Sequence, residues 1–215
     1  MWTLAGFDTA APATAAEALT ACCASRAWAE KLVAGRPYGT LAALKTAALA
    51  AFDDLCEAEI AGAVAAHPRI GGPPAGRGRE ADWSRGEQSR AMTADEPVRA
   101  ELAEANAAYE RRFDRVFLIC ATGLTAEAIL AAARRRLGND DATERAESRA
   151  ELRKIVALRL DKAFGADPAA AALGTGADPG TSSPSEPPET TRAEATGPSG
   201  APSAPTAPTA PWEDR

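Results

Sequence analysis

Apolar residues recur every three or four positions through most of the first 164 residues, a spacing that predicts helices and no convincing pair of strands. Thr14-Ala15-Ala16-Glu17 has the form of a capping box and opens a helix running to about Val33. The turn Gly35-Arg36-Pro37-Tyr38-Gly39 stops it. Thr40 caps a second helix with Leu41, Leu44, Ala48 and Phe52 along one side. A third, from Asp54 to about Ala66, ends at His67-Pro68, because proline disfavours helical geometry in the residue before it. Pro68 to Trp83 is rich in glycine and proline and predicts the longest irregular stretch of the folded part. Ser84 has the form of a cap for a short helix holding Glu87 and Gln88. Pro97 starts a longer helix with Val98, Leu102, Asn106, Tyr109 and Phe113 at helical spacing. The apolar run Val116 to Cys120 fits strand or helix equally. Thr125 caps a helix closed by Gly138, and a last helix runs from about Thr143 to Phe164. The expected class is all-α, a single-domain helical bundle.

Composition divides the chain. After Gly165 the sequence turns to Pro, Ala, Ser, Thr and Gly, with Trp212 as its one aromatic residue. Such a stretch cannot bury enough apolar surface to offset the entropy of ordering its backbone, so residues 165–215 are expected to be a disordered tail. The expected division is a flexible N-terminus at 1–11, a helical domain at 12–164, and that tail. The tail carries −5 of the chain's net charge of −6, which leaves the helical part nearly neutral. No continuous basic surface for nucleic acid follows from that balance. The run from Glu144 to Arg153 interleaves arginines with acids and reads as a solvated helix face.

Cys22, Cys23, Cys56 and Cys120 lack paired metal-ligand spacing, and the chain has a single histidine. The cysteines therefore read as small buried hydrophobes or free thiols in a reducing compartment, and no metal is expected. Neither a signal peptide nor a membrane-spanning run stands out, so a cytoplasmic protein without a membrane partner is expected.

The informative positions are polar residues on faces that should be apolar. Leu152, Ile155, Val156, Leu160 and Ala163 mark the buried stripe of the last helix, and Arg159 falls inside it. A guanidinium directed into a core requires an anion: either a structural ion pair with a buried acid or a clamp on a ligand carboxylate. Snorkelling out from the helix end is a third option. Asn106 interrupts its own stripe in the same way and reads as a satisfied core amide fixing helix register. His67 alone reads as a capping or core residue, yet it stands at a loop entrance with Glu87-Gln88 just beyond the loop. At its ordinary pKa of about 6.5 an imidazole can give or take a proton at neutral pH.

His67-Pro68-Arg69-Ile70-Gly71 and Ser84-Arg85-Gly86-Glu87-Gln88 resemble the two signature motifs of the OHCU decarboxylases, which act on 2-oxo-4-hydroxy-4-carboxy-5-ureidoimidazoline (OHCU). The resemblance continues through Arg36-Pro37-Tyr38, then Asn106, Tyr109 and Phe113, then Phe117 to Ala121. It closes with Arg136, Asn139, Glu144, Glu151, Ile155 and Arg159-Leu160, so it covers residues 12–164. Two positions depart from the family pattern: Ala27 precedes Trp28 where a proline is frequent, and Asp114 stands where a glycine usually follows the phenylalanine.

The resemblance implies a carboxy-lyase of urate degradation that converts OHCU to (S)-allantoin and CO2 without a cofactor. It implies His67 as the acid–base group, with Glu87 and Arg159 as its catalytic partners. Glu87 would either orient His67 or move protons itself. Pro68, Ser84, Gln88, Ile119, Cys120, Ala121 and Gly123 would contact substrate. A homodimer is implied by family analogy. Two other readings stay open: a helical adaptor or ligand-binding protein without catalysis, and a decarboxylase of a related ureido or imidazoline acid.

Overall fold

The structure is a computed structural model that describes residues 2–71, 83, 84, 86, 87 and 95–165. Among them are eight helices: α1 (Leu4–Thr9), α2 (Pro12–Thr20), α3 (Arg26–Ala34), α4 (Leu41–Asp53), α5 (Glu57–Ala65), α6 (Glu96–Phe113), α7 (Ala126–Arg136) and α8 (Asp141–Phe164). The expected tail falls outside the described residues apart from Gly165, as does Gln88. The all-α class is as the periodicity predicts, and no described helix is long and apolar enough to cross a membrane.

The caps explain most boundaries. Thr40, Thr125 and Asp140 each accept a backbone N–H three residues on, at 3.1, 3.3 and 2.8 Å. Pro97 lies in the first turn of α6, where its missing N–H costs nothing. Three expectations change. The single helix from Thr14 to Val33 is two helices, broken at residues 21–25, where Cys22 and Cys23 are fully buried. Ser25 then caps α3 by accepting the Trp28 N–H at 3.2 Å. The first residues also differ from the flexible N-terminus expected. They form α1, with Phe7 fully buried against Phe164. Arg36 holds α1 by donating to the Phe7 and Ala10 carbonyls at 2.6 and 2.8 Å, and Asp8 accepts the Tyr38 N–H. The 116–120 run is neither strand nor helix.

The apolar side chains gather into two clusters. One joins α1–α5 with α8 through Trp28, Leu44, Phe52, Leu152, Val156 and their neighbours. The other joins α6 and α7 through Leu102, Tyr109, Ile129 and Ala133. Each large buried side chain contributes roughly 1.5–3 kcal/mol of transfer free energy. The irregular segment crosses between the clusters: Leu118 belongs to the first, Phe117 and Ala121 to the second. Asp114 turns the chain into that segment at the end of α6, with φ 51° and ψ 37°. This is the left-handed conformation that glycine adopts without strain and that aspartate tolerates better than most residues.

Candidate active site

α5 ends where the sequence predicts, and the His67 N–H closes its last turn on the Val64 carbonyl at 3.0 Å. Pro68 then carries the chain off the helix, leaving His67 only 6% exposed. His67 Nδ1 lies 2.8 Å from the Ala63 carbonyl oxygen. A carbonyl can only accept, so Nδ1 carries the proton and, in the neutral ring, Nε2 presents its lone pair. Nε2 is buried without a hydrogen-bond partner among the described residues. Burial pushes the imidazole pKa down to about 4, and the Arg159 guanidinium adds to the effect. His67 is therefore neutral at pH 7, not poised near 6.5, and is set up to accept a proton at Nε2.

Arg159 reaches the same cavity from α8, its side chain 1% exposed. It donates to Ser84 Oγ at 3.0 Å, to Glu87 Oε2 at 3.2 Å and Oε1 at 3.4 Å, and to the Ala21 carbonyl at 3.4 Å. The structural ion pair that its position suggested thus exists, and the buried acid is Glu87 itself. Glu87 also accepts from Lys162 at 3.0 Å. Lys162 was not anticipated, although it lies three residues beyond Arg159 on one helix face. Of the two roles open to Glu87, direct orientation of the imidazole is filled by Ala63, while Glu87 balances two cations beside it. Ser84 is itself helical and meets Arg159 instead of serving only as a cap.

His67, Pro68, Ser84, Glu87, Ile119, Ala121 and Arg159 line one cavity, closed by Leu118, Ile70 and Ile155. Ile70 and Ile155 were missed as site residues, and Leu118 was reached only through the likeness of the 117–121 run to the family's pocket-lining segment. Their apolar character pointed only to core, and nothing in a lone sequence separates a core wall from a pocket wall. Two expected contacts are not cavity-lining residues. Cys120 is half-buried with its N–H bonded to Glu151, and Gly123 sits in a turn at φ 85°. Burial also raises the Cys120 thiol pKa. The cavity holds about 20 Å³, room for about one water molecule. Among the described residues no three His, Cys, Asp or Glu side chains cluster as metal ligands.

A second buried polar centre lies behind the cavity. Arg136 and Glu144 are both fully buried and paired, although Glu144 opens a run that reads as solvated. Arg136 also donates to the Leu118 carbonyl at 2.7 Å and to Ser148 Oγ at 2.9 Å. Tyr109 and Asn139 donate to Glu144. Burial and the Glu144 bond push the Tyr109 hydroxyl pKa up to about 12. Asn106, expected to be a satisfied core amide, donates to the Ile70 carbonyl at 2.8 Å, but its buried Oδ1 has no partner among the described residues.

A model of the OHCU decarboxylase family matches residues 8–161. The chain is similar to a 2-oxo-4-hydroxy-4-carboxy-5-ureidoimidazoline decarboxylase of Amia calva, 37% identical over 128 residues, covering 59% of this chain and 73% of the relative. It is also similar to the uric acid degradation bifunctional protein TTL of Arabidopsis thaliana, 33% identical over 147 residues. That match covers 66% of this chain and spans less than half, 45%, of the relative. Among solved structures, an OHCU decarboxylase crystallised in the presence of (S)-allantoin superposes with a TM-score of 0.60 at 30% identity, covering 68% of this chain and 96% of the other. A fold of this kind, two signature motifs meeting at one cavity and a family match across the helical domain lead to one conclusion: the chain belongs to the OHCU decarboxylase family.

Proposed function

We propose that this chain is a carboxy-lyase that converts OHCU to (S)-allantoin and CO2, with His67 Nε2 as the acid–base atom. The observation that carries the reading is the convergence of an unpartnered imidazole nitrogen, the Ser84 hydroxyl, the Glu87 carboxylate and the Arg159 guanidinium on one cavity.

The substrate supplies its own electron sink. The carbon that loses CO2 bears a hydroxyl and adjoins a ring C=N, so the pair from the broken C–C bond moves onto that C=N and leaves an enol. Collapse to product needs the hydroxyl proton removed and one face of the neighbouring carbon protonated; one further proton is taken up from solvent. Neutral His67 takes the hydroxyl proton at Nε2, while the Nδ1–H bond to Ala63 fixes the tautomer and ring orientation. The imidazolium so formed is stabilised by Glu87 and returns a proton to one face. Positioned proton transfer of this kind contributes about 10²–10⁴ in rate.

Arg159 clamps the substrate carboxylate by exchanging part of its Glu87 and Ser84 contacts for it. The exchange keeps the buried guanidinium paired with an anion throughout. Lys162 keeps Glu87 compensated meanwhile. Ser84 and the Ile119 backbone face the ureido and ring amides, and Gln88 supplies a further amide contact. The working assembly we propose is a cytoplasmic homodimer, taken from the family resemblance and read directly by sedimentation velocity.

The test generates OHCU in place with urate oxidase and hydroxyisourate hydrolase and follows circular dichroism. Spontaneous decay gives racemic allantoin. The reading expects fast appearance of an optically active product; a racemic course at the uncatalysed rate overturns it.

A further inference from the structure

Segment 117–121 supplies three walls of the cavity, Leu118, Ile119 and Ala121, yet belongs to no helix or sheet. Its backbone polar groups must find partners elsewhere. Two of them are met by side chains from helices that pack behind it. The Leu118 carbonyl accepts from Arg136 of α7 at 2.7 Å, and the Cys120 N–H donates to Glu151 Oε2 of α8 at 2.8 Å. The Arg136 guanidinium also lies over the Phe117 ring, 4.8 Å from its centroid. The N–H and C=O of Ile119, between these two anchors, make no hydrogen bond among the described residues. The segment is thus pinned on either side of Ile119, which itself lines the cavity.

The two anchors differ. Arg136 is locked into the Glu144, Tyr109 and Ser148 network, so its removal would disturb the core at large. The Glu151 side chain is 12% exposed, and its other hydrogen-bond partner among the described residues is the exposed Lys154. Ile155, four positions beyond Glu151 and so on the same face of the helix, lines the cavity. The helix that carries Arg159 into the site therefore also sets the register of the opposite wall.

We propose that Glu151 is a positioning residue for the decarboxylation: by holding the Cys120 N–H it fixes where Leu118, Ile119 and Ala121 stand relative to His67. The inference rests on the function proposed above. It adds a residue that does not touch substrate and acts through the backbone of the wall. Displacements of about 1 Å at such a wall can cost on the order of 10²-fold in rate.

The test compares Glu151→Ala, Glu151→Gln and Lys154→Ala in the full chain, with kcat and KM per folded molecule from the dichroism assay and amide hydrogen exchange at Cys120. Glutamine keeps an acceptor for the Cys120 N–H, and alanine removes it. The expected result is a loss in kcat/KM of about 10–100-fold for Glu151→Ala, faster exchange at Cys120, and a product of lower optical purity. Glu151→Gln restores all three to within a few-fold, and Lys154→Ala leaves them unchanged. Two results overturn the proposal. In one, Glu151→Ala has a lower melting temperature with unchanged kcat/KM and optical purity, which is a purely structural role. In the other, Glu151→Gln is as impaired as Glu151→Ala, which makes the charge and not the acceptor responsible. A wild-type protein that neither speeds nor directs the reaction overturns the proposed function instead, and exchange at Cys120 in the three variants then still decides whether Glu151 holds the wall.

Discussion

Arg136 and Arg159 are both buried arginines on core-facing helices, and each is paired with a glutamate, yet their surroundings differ in kind. Around Arg136 each guanidinium nitrogen has a partner. Its partner Glu144 takes further bonds from Tyr109 and Asn139, and although burial pushes the Glu144 carboxyl pKa up, the bonds from Arg136 and Tyr109 hold it below its usual range. Around Arg159 the bonds to Glu87, at 3.2 and 3.4 Å, are longer, the glutamate is shared with a second cation, and among the described residues a buried imidazole nitrogen is left unpaired in a cavity. A closed network of the first kind holds a structure together. A looser one beside an unpaired base can exchange partners with a substrate, which is what a reaction requires.

Substitutions at the two centres should therefore fail differently. Arg136→Met leaves Glu144 buried and unpaired and is expected to cost about 3–5 kcal/mol of folding free energy, measured by urea denaturation. A loss under about 1 kcal/mol would show that the network relaxes to water and is not closed.

The pH dependence probes the other centre. The folded-state pKa of His67, about 4, lies below its ordinary value of 6.5, so the unfolded chain binds the proton more readily. Its contribution to stability is complete above pH 6.5 and is lost as pH falls through 4, by roughly 3 kcal/mol in total. Because the base is the neutral ring, kcat/KM should hold level from pH 7 to about 5 and fall only near 4. An acid limb centred at 6.5 would mean that His67 is solvated in the free enzyme.

Arg159→Met is expected to raise KM by roughly 10–100-fold, the worth of charged hydrogen bonds, with a smaller stability loss than Arg136→Met because Lys162 still compensates Glu87. Mainly destabilisation with unchanged KM would make the two arginines alike. The smallest effect concerns the path into the wall. Asp114→Gly relieves a left-handed backbone and is expected to raise stability by up to about 1 kcal/mol in thermal unfolding, with turnover unchanged. A loss of stability would show that the aspartate side chain earns its place there.

These two centres also mark how much the sequence could reveal. Arg159 was legible because one charged residue interrupts an otherwise apolar stripe, and His67 because proline ends its helix. Glu87 and Ser84 followed from the motif they share. Arg136 and Glu144 were named only through the family resemblance and their pairing was hidden, since Glu144 opens a run that reads as solvated surface and the pair spans the turn between α7 and α8. The break at residues 21–25 was hidden for a related reason: alanine and cysteine carry no stop signal, and burial of both cysteines sets the break. α1 depends on the distant Arg36 and Asp8 contacts, which no local pattern encodes. Local chemistry shows where a polar group is costly; only the packed chain shows who meets it.

The most direct test of the account follows circular dichroism on enzymatically generated OHCU with wild type and His67→Ala side by side, each checked for thermal stability. The account predicts rapid formation of optically active allantoin by wild type, and for His67→Ala the slow racemic course of the uncatalysed reaction with the fold retained. Fast, stereospecific turnover by His67→Ala would contradict it, because the unpaired imidazole nitrogen would then have no part in the chemistry.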